Sequence, residues 1–366
     1  MSTLSPQKYR LVEQTSRIMA TDVSVHLAVT PAEEEAARTA LHACMEWMRE
    51  VERRLTRFDP QSELSQLNSA AGRWQHTSDM LFTVVREAVA AANRSSGLFD
   101  PTLLPQIEAL GYDRDFSLLA REANADSAPQ RVSAASNESW RGIQLDATRR
   151  CVRLPQDTRL DLGGIAKGWA ADTALKRFFR PFANVIVNVG GDLRLRGEVQ
   201  PGESWAVGIR NPFTDHLPAG DTIAIVRMGQ GGLATSGASR RWWYQGGQRQ
   251  HHLLDPRTGR PAHIWMPPDG ENAQSTDDAH LIATATALAP TAARAEVAAK
   301  VALLRGYPAA LQAIEESWKR LAAKEAQILE KEGVALLLVM GDGRVVLSAN
   351  MNDYLASCGA GGAIWG

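Results

Sequence analysis

Three of the chain's Gly-Gly pairs, at 163–164, 190–191 and 246–247, follow strand-like runs and mark places where the backbone must turn sharply. The pair at 190–191 separates VIVNV from DLRLRGE, and the pair at 246–247 separates RWWYQ from QRQHHLLDP. Each pattern predicts a hairpin, because glycine accepts the left-handed backbone that tight turns require. The pair at 163–164 instead separates RLDL from a helical pattern at 165–180. Such a chain mixes hairpins with helices and does not repeat one strand-helix-strand unit.

The remaining pattern predicts an α+β fold of mixed sheets and packed helices, not a doubly wound parallel sheet. Alternation predicts a strand at 23–29, and VALLLVMGDGRVVLS predicts a closing hairpin. The chain has no GxGxxG and no GxxxxGK[ST] motif, so a dinucleotide fold and a P-loop lose their main support. We expect one domain over 1–350 and a loose glycine-rich tail over 351–366. Further helices are predicted at 31–54, 78–94, 290–305 and 308–332, and a loop at 120–140.

Charge and hydropathy argue against two classes of partner. The 366 residues include 40 Lys and Arg against 41 Asp and Glu, a formal net charge of -1. This balance argues against a mainly electrostatic nucleic-acid binder. The longest apolar run, 334–340, is far too short to span a bilayer. The three cysteines are widely spaced and the first residues lack a signal-peptide core, so we expect a cytoplasmic protein that acts on neither nucleic acid nor membrane.

The segment DLGGIAKG at 161–168 is the first that could carry chemistry. Its glycines let a ligand approach the backbone closely, and the start of the following helix offers unpaired N–H groups. Lys167 adds a positive charge in the first turn, so the combination suits a phosphate or pyrophosphate group. The alternative is a plain strand-to-helix turn in which Asp161 caps the helix, and spacing alone favours that alternative.

Three further segments are ambiguous when each is taken alone. Residues 188–192 (NVGGD) fit a simple hairpin turn, and FDPQSELS lies in a predicted loop where Ser62 and Ser65 compete as helix caps. In HHLLDPRTG, two adjacent histidines on a strand point to opposite faces and cannot easily bind one metal. One histidine could act as a general base beside Asp255. In the alternative without a catalytic role, one histidine is buried, the other is exposed, and Asp255 begins a turn.

The order of the segments is more informative than any one of them. RFDPQSELSQLN, GLFDPT, LDLGGIAKGWAAD, NVGGDLRLRG, ATSG and HHLLDPRTGRP follow one another along the chain. This series closely resembles the FAD:protein FMN transferase family, known as ApbE, from about Met19 to about Ser348. The resemblance implies a T-fold-like α+β unit with an FAD site in a central cleft. It also implies protein flavinylation: the FAD pyrophosphate is cleaved, FMN is attached to a Thr or Ser of a target flavoprotein, and AMP leaves with help from Mg²⁺.

The resemblance extends to single cofactor-binding positions. Met19 matches a flavin-lining methionine in a Met-Gly-Thr stretch, in which Ala20 replaces the glycine here. Phe58 matches an aromatic position, and Leu254 matches an isoleucine that packs against the flavin. The FAD contacts implied by the resemblance are Met19, Phe58, Leu98, Phe99, Asp100, Asp161, Lys167 and Leu254.

Catalytic and metal-binding positions are implied in the same way, with one departure. His252 is the candidate general base, Asp255 orients it or helps to bind metal, and Gly164 offers the metal a backbone carbonyl. The family's late helix reads Ala-Asp-x-x-x-Thr, and its Asp and Thr complete the metal site. Here that helix carries Glu296 and Lys300 instead. Glu296 keeps the carboxylate on a side chain one methylene longer, and Lys300 replaces the threonine oxygen with a positive charge.

Three interpretations of this departure are open from the sequence. In the first, Mg²⁺ is kept in a weakened site by Gly164, Glu296 and water. In the second, the Lys300 ammonium stands in the place of the metal. In the third, Glu296 and Lys300 form only a surface pair at i,i+4 spacing. The resemblance favours the first two, with a slight preference for the weakened metal site.

Two other functions compete with the transferase. One is an FAD-binding protein without turnover, and the changed helix is its best support because a lost metal site can leave binding intact. The other is a metal-assisted FAD hydrolase, in which water replaces the protein hydroxyl and the products are FMN and AMP. AMP release that depends on a target separates the transferase from the hydrolase, and binding without AMP release selects the binding protein.

Overall fold

The structure is a computed structural model, and it describes residues 8–119, 138–214, 221–267, 276–322, 333–358 and 363–365. Its helices are α1 (Glu34–Leu55), α2 (Glu63–Ser69), α3 (Asp79–Arg94), α4 (Leu104–Ala109), α5 (Ala166–Phe178), α6 (Ala292–Arg305) and α7 (Ala309–Ala322). Its strands are β1 (Arg10–Ile18), β2 (Thr21–Val29), β3 (Trp74–His76), β4 (Gln144–Asp146), β5 (Cys151–Arg153), β6 (Asn184–Val189), β7 (Asp192–Arg196), β8 (Glu198–Gln200), β9 (Glu203–Arg210), β10 (Thr222–Met228), β11 (Gln230–Gly237), β12 (Trp242–Gln245), β13 (Gln248–His251), β14 (Leu254–Asp255), β15 (Arg260–Pro261), β16 (Ile282–Ala289), β17 (Ala335–Met340), β18 (Val345–Leu347), β19 (Leu355–Cys358) and β20 (Ala363–Trp365).

A nine-stranded sheet runs through the middle of the molecule, in the order β1-β2-β6-β7-β11-β16-β17-β18-β20. Its pairs are antiparallel except for β18 with β20. A four-stranded sheet, β19-β10-β9-β8, covers one face. Helices α1, α5, α6 and α7 cover the other face. The arrangement confirms the predicted α+β class.

Both faces of the large sheet are buried, and its sequence pattern follows from that. On β17, Leu336 and Leu338 pack against α6 and α7, whereas Leu337 and Val339 pack against the smaller sheet. A strand that is buried on both faces reads as a continuous apolar run and not as an alternating one. All eight residues of β16 are buried for the same reason.

Helices α5 and α6 meet at their first turns, where each helix caps the other. The Asp172 carboxylate on α5 accepts the N–H groups of Ala292 and Ala293, both at 3.0 Å. In return, Oε2 of Glu296 on α6 accepts the N–H of Gly168 at 2.9 Å. A carboxylate near a helix start satisfies N–H groups that have no partner within the helix. These reciprocal caps fix α5 against α6.

Most predicted elements are confirmed. The helices predicted at 31–54, 78–94, 165–180 and 290–305 begin and end within three residues of α1, α3, α5 and α6. The hairpins with Gly-Gly turns are β6–β7 and β12–β13, whose four turn glycines all have positive φ. The predicted loop at FDPQSELS contains α2 instead, and Ser62 is its cap because Ser62 Oγ accepts the N–H of Ser65. The predicted loop at 120–140 falls largely on 120–137, outside the described residues.

The prediction of a loose tail at 351–366 is corrected over its described part. Strand β19 pairs with β10 at the edge of the smaller sheet, and β20 pairs with β18 at the edge of the large sheet. The edge strands of both sheets carry backbone groups that need partners, and these terminal strands supply them. Glycine content alone is therefore a poor guide to order in this segment.

We expect Gly168→Ala to destabilise the fold through the α5–α6 contact. A Cβ at Gly168 would lie 2.7 Å from the backbone of Ala292, which cannot move without disturbing both caps. Overpacking of this kind costs about 1–3 kcal/mol. Gly229→Ala is the matched control, since a Cβ there meets nothing within 4 Å. Urea unfolding of both variants measures the difference, and equal free energies of unfolding would contradict the predicted contact.

Candidate functional site

A cleft of about 1340 Å³ opens beside the start of α5 and the middle of α6. It is larger than the roughly 300–1,000 Å³ of common small-molecule sites, so it has room for a dinucleotide. Its wall includes every residue predicted for the site except Asp255 and Glu296. The predicted residues brought together there are Met19, Phe58, Leu98, Phe99, Asp100, Asp161, Gly164, Lys167, His252, Leu254 and Lys300.

Two lysines and two carboxylates form one cluster at the cleft wall. Lys167 Nζ contacts the Asp192 carboxylate and lies 3.6 Å from Oε1 of Glu296. Lys300 Nζ donates to the same Oε1 at 3.1 Å. Since Oε2 of Glu296 accepts the N–H of Gly168, both oxygens of this fully buried carboxylate already have partners. The cluster carries two positive and two negative charges, and its net formal charge is zero.

The ion pairs keep the cluster charged despite its burial. Burial raises the pKa of Glu296, but Lys300, Lys167 and the N–H of Gly168 together lower it by more, so the net pKa falls below the ordinary value. Burial lowers the pKa of Lys167, but Asp192 and Glu296 more than offset this, and the net pKa is raised. Burial raises the pKa of Asp192 to about 6, so this carboxyl is still ionised at neutral pH. The cluster is therefore a set of ion pairs at neutral pH.

The residues present do not fit a divalent cation between Gly164 and Glu296. Lys300 fills that space: a Cβ on Gly164 would lie 3.4 Å from Lys300 Cε, and Lys300 Nζ reaches Glu296. Across the described part of the chain, no group of three or more His, Cys, Asp or Glu side chains could hold a metal ion. The preferred interpretation, a weakened metal site on Gly164 and Glu296, does not match this donor set. The surface-pair interpretation is wrong, because Glu296 is fully buried.

His252 presents a neutral imidazole to the cleft. Its Nδ1 lies 3.4 Å from the carbonyl oxygen of Arg241, a position in which Nδ1 carries the proton and Nε2 keeps its lone pair. Burial, and then the positive charge of Arg241, hold the pKa of His252 well below its ordinary value. A histidine in this state stays unprotonated through the neutral pH range, so its Nε2 lone pair is available to a reacting hydroxyl.

Asp255 does not make the expected contact with His252. Its carboxylate forms a bidentate pair with the guanidinium of Arg257, with N–O distances of 2.7 and 2.9 Å, and its backbone carbonyl accepts the N–H of Gly259. Asp255 pairs with Arg257 because this arginine is only two residues away in the same turn. The pair lies in the turn, and Asp255 does not line the cleft. Its predicted role in orienting His252 or binding metal is therefore not supported.

Ile165 stands at the N-cap of α5 without a side-chain cap, whereas Asp161 lines the cleft and caps the preceding turn. Its Oδ1 accepts the N–H of Gly163 at 2.7 Å, as a turn-capping side chain does, and its Oδ2 lies 3.5 Å from Nε of Arg57. The Arg57 guanidinium packs over the rings of Phe58 and Tyr112, 4.3 and 4.5 Å from their centroids. Only 6% of the Arg57 side chain is exposed, and its Nη2 has no hydrogen-bond partner among the described residues.

Apolar side chains line the cleft beside these polar groups. Tyr112 contacts Phe58 and Trp243, with ring centroids 5.8 and 5.2 Å apart, and Leu254 packs into the same cluster. Asp100 is held by the N–H and hydroxyl of Thr102, and burial raises the pKa of its carboxyl. Aromatic and aliphatic side chains with a few polar groups among them are typical of a site for a planar ring ligand.

Arg57, Tyr112 and Asp192 are among the cleft residues that the sequence did not single out. Asp192 was interpreted only as the end of a hairpin turn, although it directly follows the Gly-Gly pair at 190–191. The signal that could have identified it is the buried lysine, which needs a counter-charge. Arg57 begins the segment RFDPQSELSQLN but was given no role there, Tyr112 lies in none of the quoted segments, and the fold brings the two side chains together.

Comparisons with known proteins agree with the predicted resemblance. A family model described as "ApbE family" matches residues 19–324. An FAD:protein FMN transferase of Vibrio cholerae is 29% identical over 225 residues, which cover 58% of this chain and 62% of that protein, just under two thirds of its length. An FAD:protein FMN transferase of Salmonella typhimurium is 26% identical over 309 residues, covering 79% and 76%.

Solved structures agree on the fold. The ApbE protein of Thermotoga maritima has a TM-score of 0.74 at 22% identity, covering 95% of this chain and all of that one. The flavinyl transferase ApbE of Pseudomonas stutzeri has a TM-score of 0.69 at 19% identity, covering 98% and 99%. At such identities the likeness concerns the fold alone. Separately, no helix in the described residues is both long and apolar enough to cross a membrane.

The neighbouring histidine, His251, gives the fold a pH dependence that we expect to measure. It is buried, its Nε2–H donates to the carbonyl of Ala262 at 3.0 Å, and burial lowers its pKa to about 4. The unfolded chain binds this proton below an ordinary pKa of about 6.5, so stability is complete above that pH and falls as the pH drops toward 4. Between about pH 8 and about pH 5 the loss from this group is roughly 2 kcal/mol.

His251→Gln tests this expectation, because glutamine keeps a donor for Ala262 but does not titrate. Urea unfolding at both pH values should show that the unmodified protein loses roughly 2 kcal/mol more than the variant. Equal losses in the two proteins would mean that His251 is not the titrating group.

Proposed function

The chain belongs to the ApbE family, and from that premise we propose that it is an FAD:protein FMN transferase. A Thr or Ser hydroxyl of a target flavoprotein attacks the FMN-side phosphorus of FAD. A new O–P bond forms, the bond from that phosphorus to the bridging oxygen breaks, and AMP leaves with the bridging oxygen. The product is a target protein that carries FMN through a phosphoester.

One observation carries the proposal: a neutral histidine and two ammonium groups line the same cleft. In the reaction, Nε2 of His252 takes the proton of the attacking hydroxyl, which raises the nucleophilicity of its oxygen. Lys167 and Lys300 face the diphosphate, where negative charge grows as AMP departs. This pairing of base and cations is what phosphoryl transfer to a hydroxyl requires.

The rest of the cleft is assigned to FAD binding. The flavin packs against Met19, Phe58 and Leu254, and the polar edges of the cofactor meet Asp100 and Asp161. Leu98 and Phe99 complete the wall, and Lys167 holds the diphosphate. Because Lys300 fills the space beside Gly164 and Glu296, we derive no step through Mg²⁺.

The target and the compartment are proposals of the same kind. We propose an acceptor stretch of the form Asp-x-x-Ser/Thr-Gly-Ala-Ser/Thr on a flavoprotein, reached without nucleic acid or membrane. We also propose a cytoplasmic location, because Cys44 and Cys151 are free thiols and reducing compartments keep thiols in that form. Finding the native protein in a membrane fraction would contradict the proposed location.

AMP release from FAD is the test of the proposed function. We expect AMP only when a domain with the acceptor stretch is present, together with a yellow, covalently labelled target. His252→Gln should slow AMP release about 10²- to 10⁴-fold while FAD still binds, because only the base is lost. His263→Gln is the control, since His263 is an exposed histidine outside the cleft wall.

Two outcomes would replace the transferase. Target-independent AMP and FMN would select the hydrolase, and FAD binding without AMP in any condition would select the binding protein. Equal rates for His252→Gln and the unmodified protein would remove His252 as the base without affecting the transferase assignment.

Arg57 provides a separate prediction about FAD affinity. Arg57 lines the cleft and its buried Nη2 lacks a partner in the described residues, so we expect a phosphate oxygen of bound FAD to satisfy it. A hydrogen bond to a charged group is worth about 1.5–3 kcal/mol, so Arg57→Met should weaken FAD binding roughly 10- to 100-fold. Flavin fluorescence titration measures the Kd. Arg53→Met, an exposed arginine on α1, is the control, and an unchanged Kd for Arg57→Met would overturn the assignment.

A further inference from the structure

We propose that Lys300 supplies the positive charge that a divalent cation would bring to the FAD diphosphate, so that AMP release by this chain needs no divalent metal. The proposal rests on the transferase function proposed above. It starts from the cluster of Lys167, Asp192, Glu296 and Lys300, in which both lysines and Asp192 line the cleft and Glu296 is buried behind the lysines.

Glu296 is the carboxylate that contacts both lysines, and both of its oxygens already have partners. Glu296 gives one oxygen to the N–H of Gly168 and the other to Lys300 and Lys167. A metal bound to Oε1 would lie next to both ammonium groups, and like charges at such distances repel strongly. Metal binding would require one lysine to move away from Glu296, so the fully buried carboxylate would lose its present partner.

The position of Lys300 supports the same conclusion. Its Cε lies against Gly164, its Nζ lies against Glu296, and the side chain lines the cleft. A Cβ at position 164 would meet the Phe99 ring at 2.9 Å and would be in van der Waals contact with Lys300 Cε at 3.4 Å, so the lysine side chain lies directly beside this backbone. An ammonium has three N–H donors, and its bond to Glu296 leaves donors for a phosphate oxygen.

The reaction balances without a metal. The hydroxyl proton passes to His252, the new O–P bond forms on the FMN side, and the bridging oxygen leaves on AMP with its negative charge. Lys300 stays protonated throughout and donates hydrogen bonds to the diphosphate oxygens as their charge increases. A positioned donor of this kind is worth about 10²- to 10³-fold in rate.

The test compares four proteins after EDTA dialysis: the unmodified chain, Lys300→Met, the double variant Glu296→Asp/Lys300→Thr, and Arg38→Met. Arg38 forms an exposed i,i+4 pair with Glu34, so its variant removes a similar helix pair away from the cleft. AMP release is measured with acceptor domain, in EDTA and in a MgCl₂ titration. Flavin fluorescence measures FAD binding, and calorimetry with MgCl₂ measures metal binding directly.

We expect the unmodified chain and Arg38→Met to release AMP at rates that EDTA changes less than about 2-fold, since no positioned metal is lost. Lys300→Met should bind FAD but release AMP about 10²- to 10³-fold more slowly. The double variant removes the lysine and restores two oxygen ligands, so it should bind Mg²⁺ and gain AMP release at least about 10-fold from it.

Loss of AMP release by the unmodified chain in EDTA, with recovery in MgCl₂, would overturn the proposal. Unchanged rates for a folded Lys300→Met would do the same, and Lys300→Arg, which keeps the charge, separates folding failure from loss of charge. If the unmodified chain releases no AMP in any condition, the transferase function fails. In that case calorimetry still decides: saturable Mg²⁺ binding in the presence of FAD overturns the charge replacement, and its absence supports it.

Discussion

The site depends on two buried carboxylates that cap each other's helices. Asp172 on α5 accepts the first N–H groups of α6, and Glu296 on α6 accepts the N–H of Gly168 on α5. The absence of a side chain at Gly168 lets the two helix starts touch, and their positive dipole ends face the carboxylates. Lys167 precedes Gly168 and Lys300 follows Glu296 by one turn, so the same crossing positions both lysines.

Helix and hairpin positions were predictable because their signals are local. Glycine pairs and apolar periodicity placed α1, α3, α5, α6 and the β6–β7 hairpin correctly. The reciprocal caps were not predictable, since Asp172 and its partners are 120 and 121 residues apart in sequence. The strands of the tail were missed for a related reason: their order comes from the sheet edges they join, while their composition resembles a loop.

In the candidate site, too, some features follow from local sequence and others only from tertiary packing. The rule that adjacent strand residues face opposite sides separates His251 in the core from His252 in the cleft. No comparable rule predicts the partner of Asp255. Its carboxylate pairs with Arg257, two residues later, and not with the histidine. Arg57 reaches the cleft because it packs on Phe58 and a tyrosine from a distant segment. Residue type and spacing thus predicted the chemistry of the cleft, and only tertiary packing decided which charges meet there.

The length of Glu296 links the fold to the charge in the cleft. One of its oxygens caps α5 and the other faces two lysines, so this side chain must span the distance between a backbone N–H and the cluster. An aspartate is one methylene shorter, and from the same backbone position it could satisfy one of these partners but not both. The length of Glu296 and the presence of Lys300 one turn later therefore depend on each other. With Lys300 present, the longer carboxylate serves as cap and counter-ion at once, and the buried charges balance without a further ion.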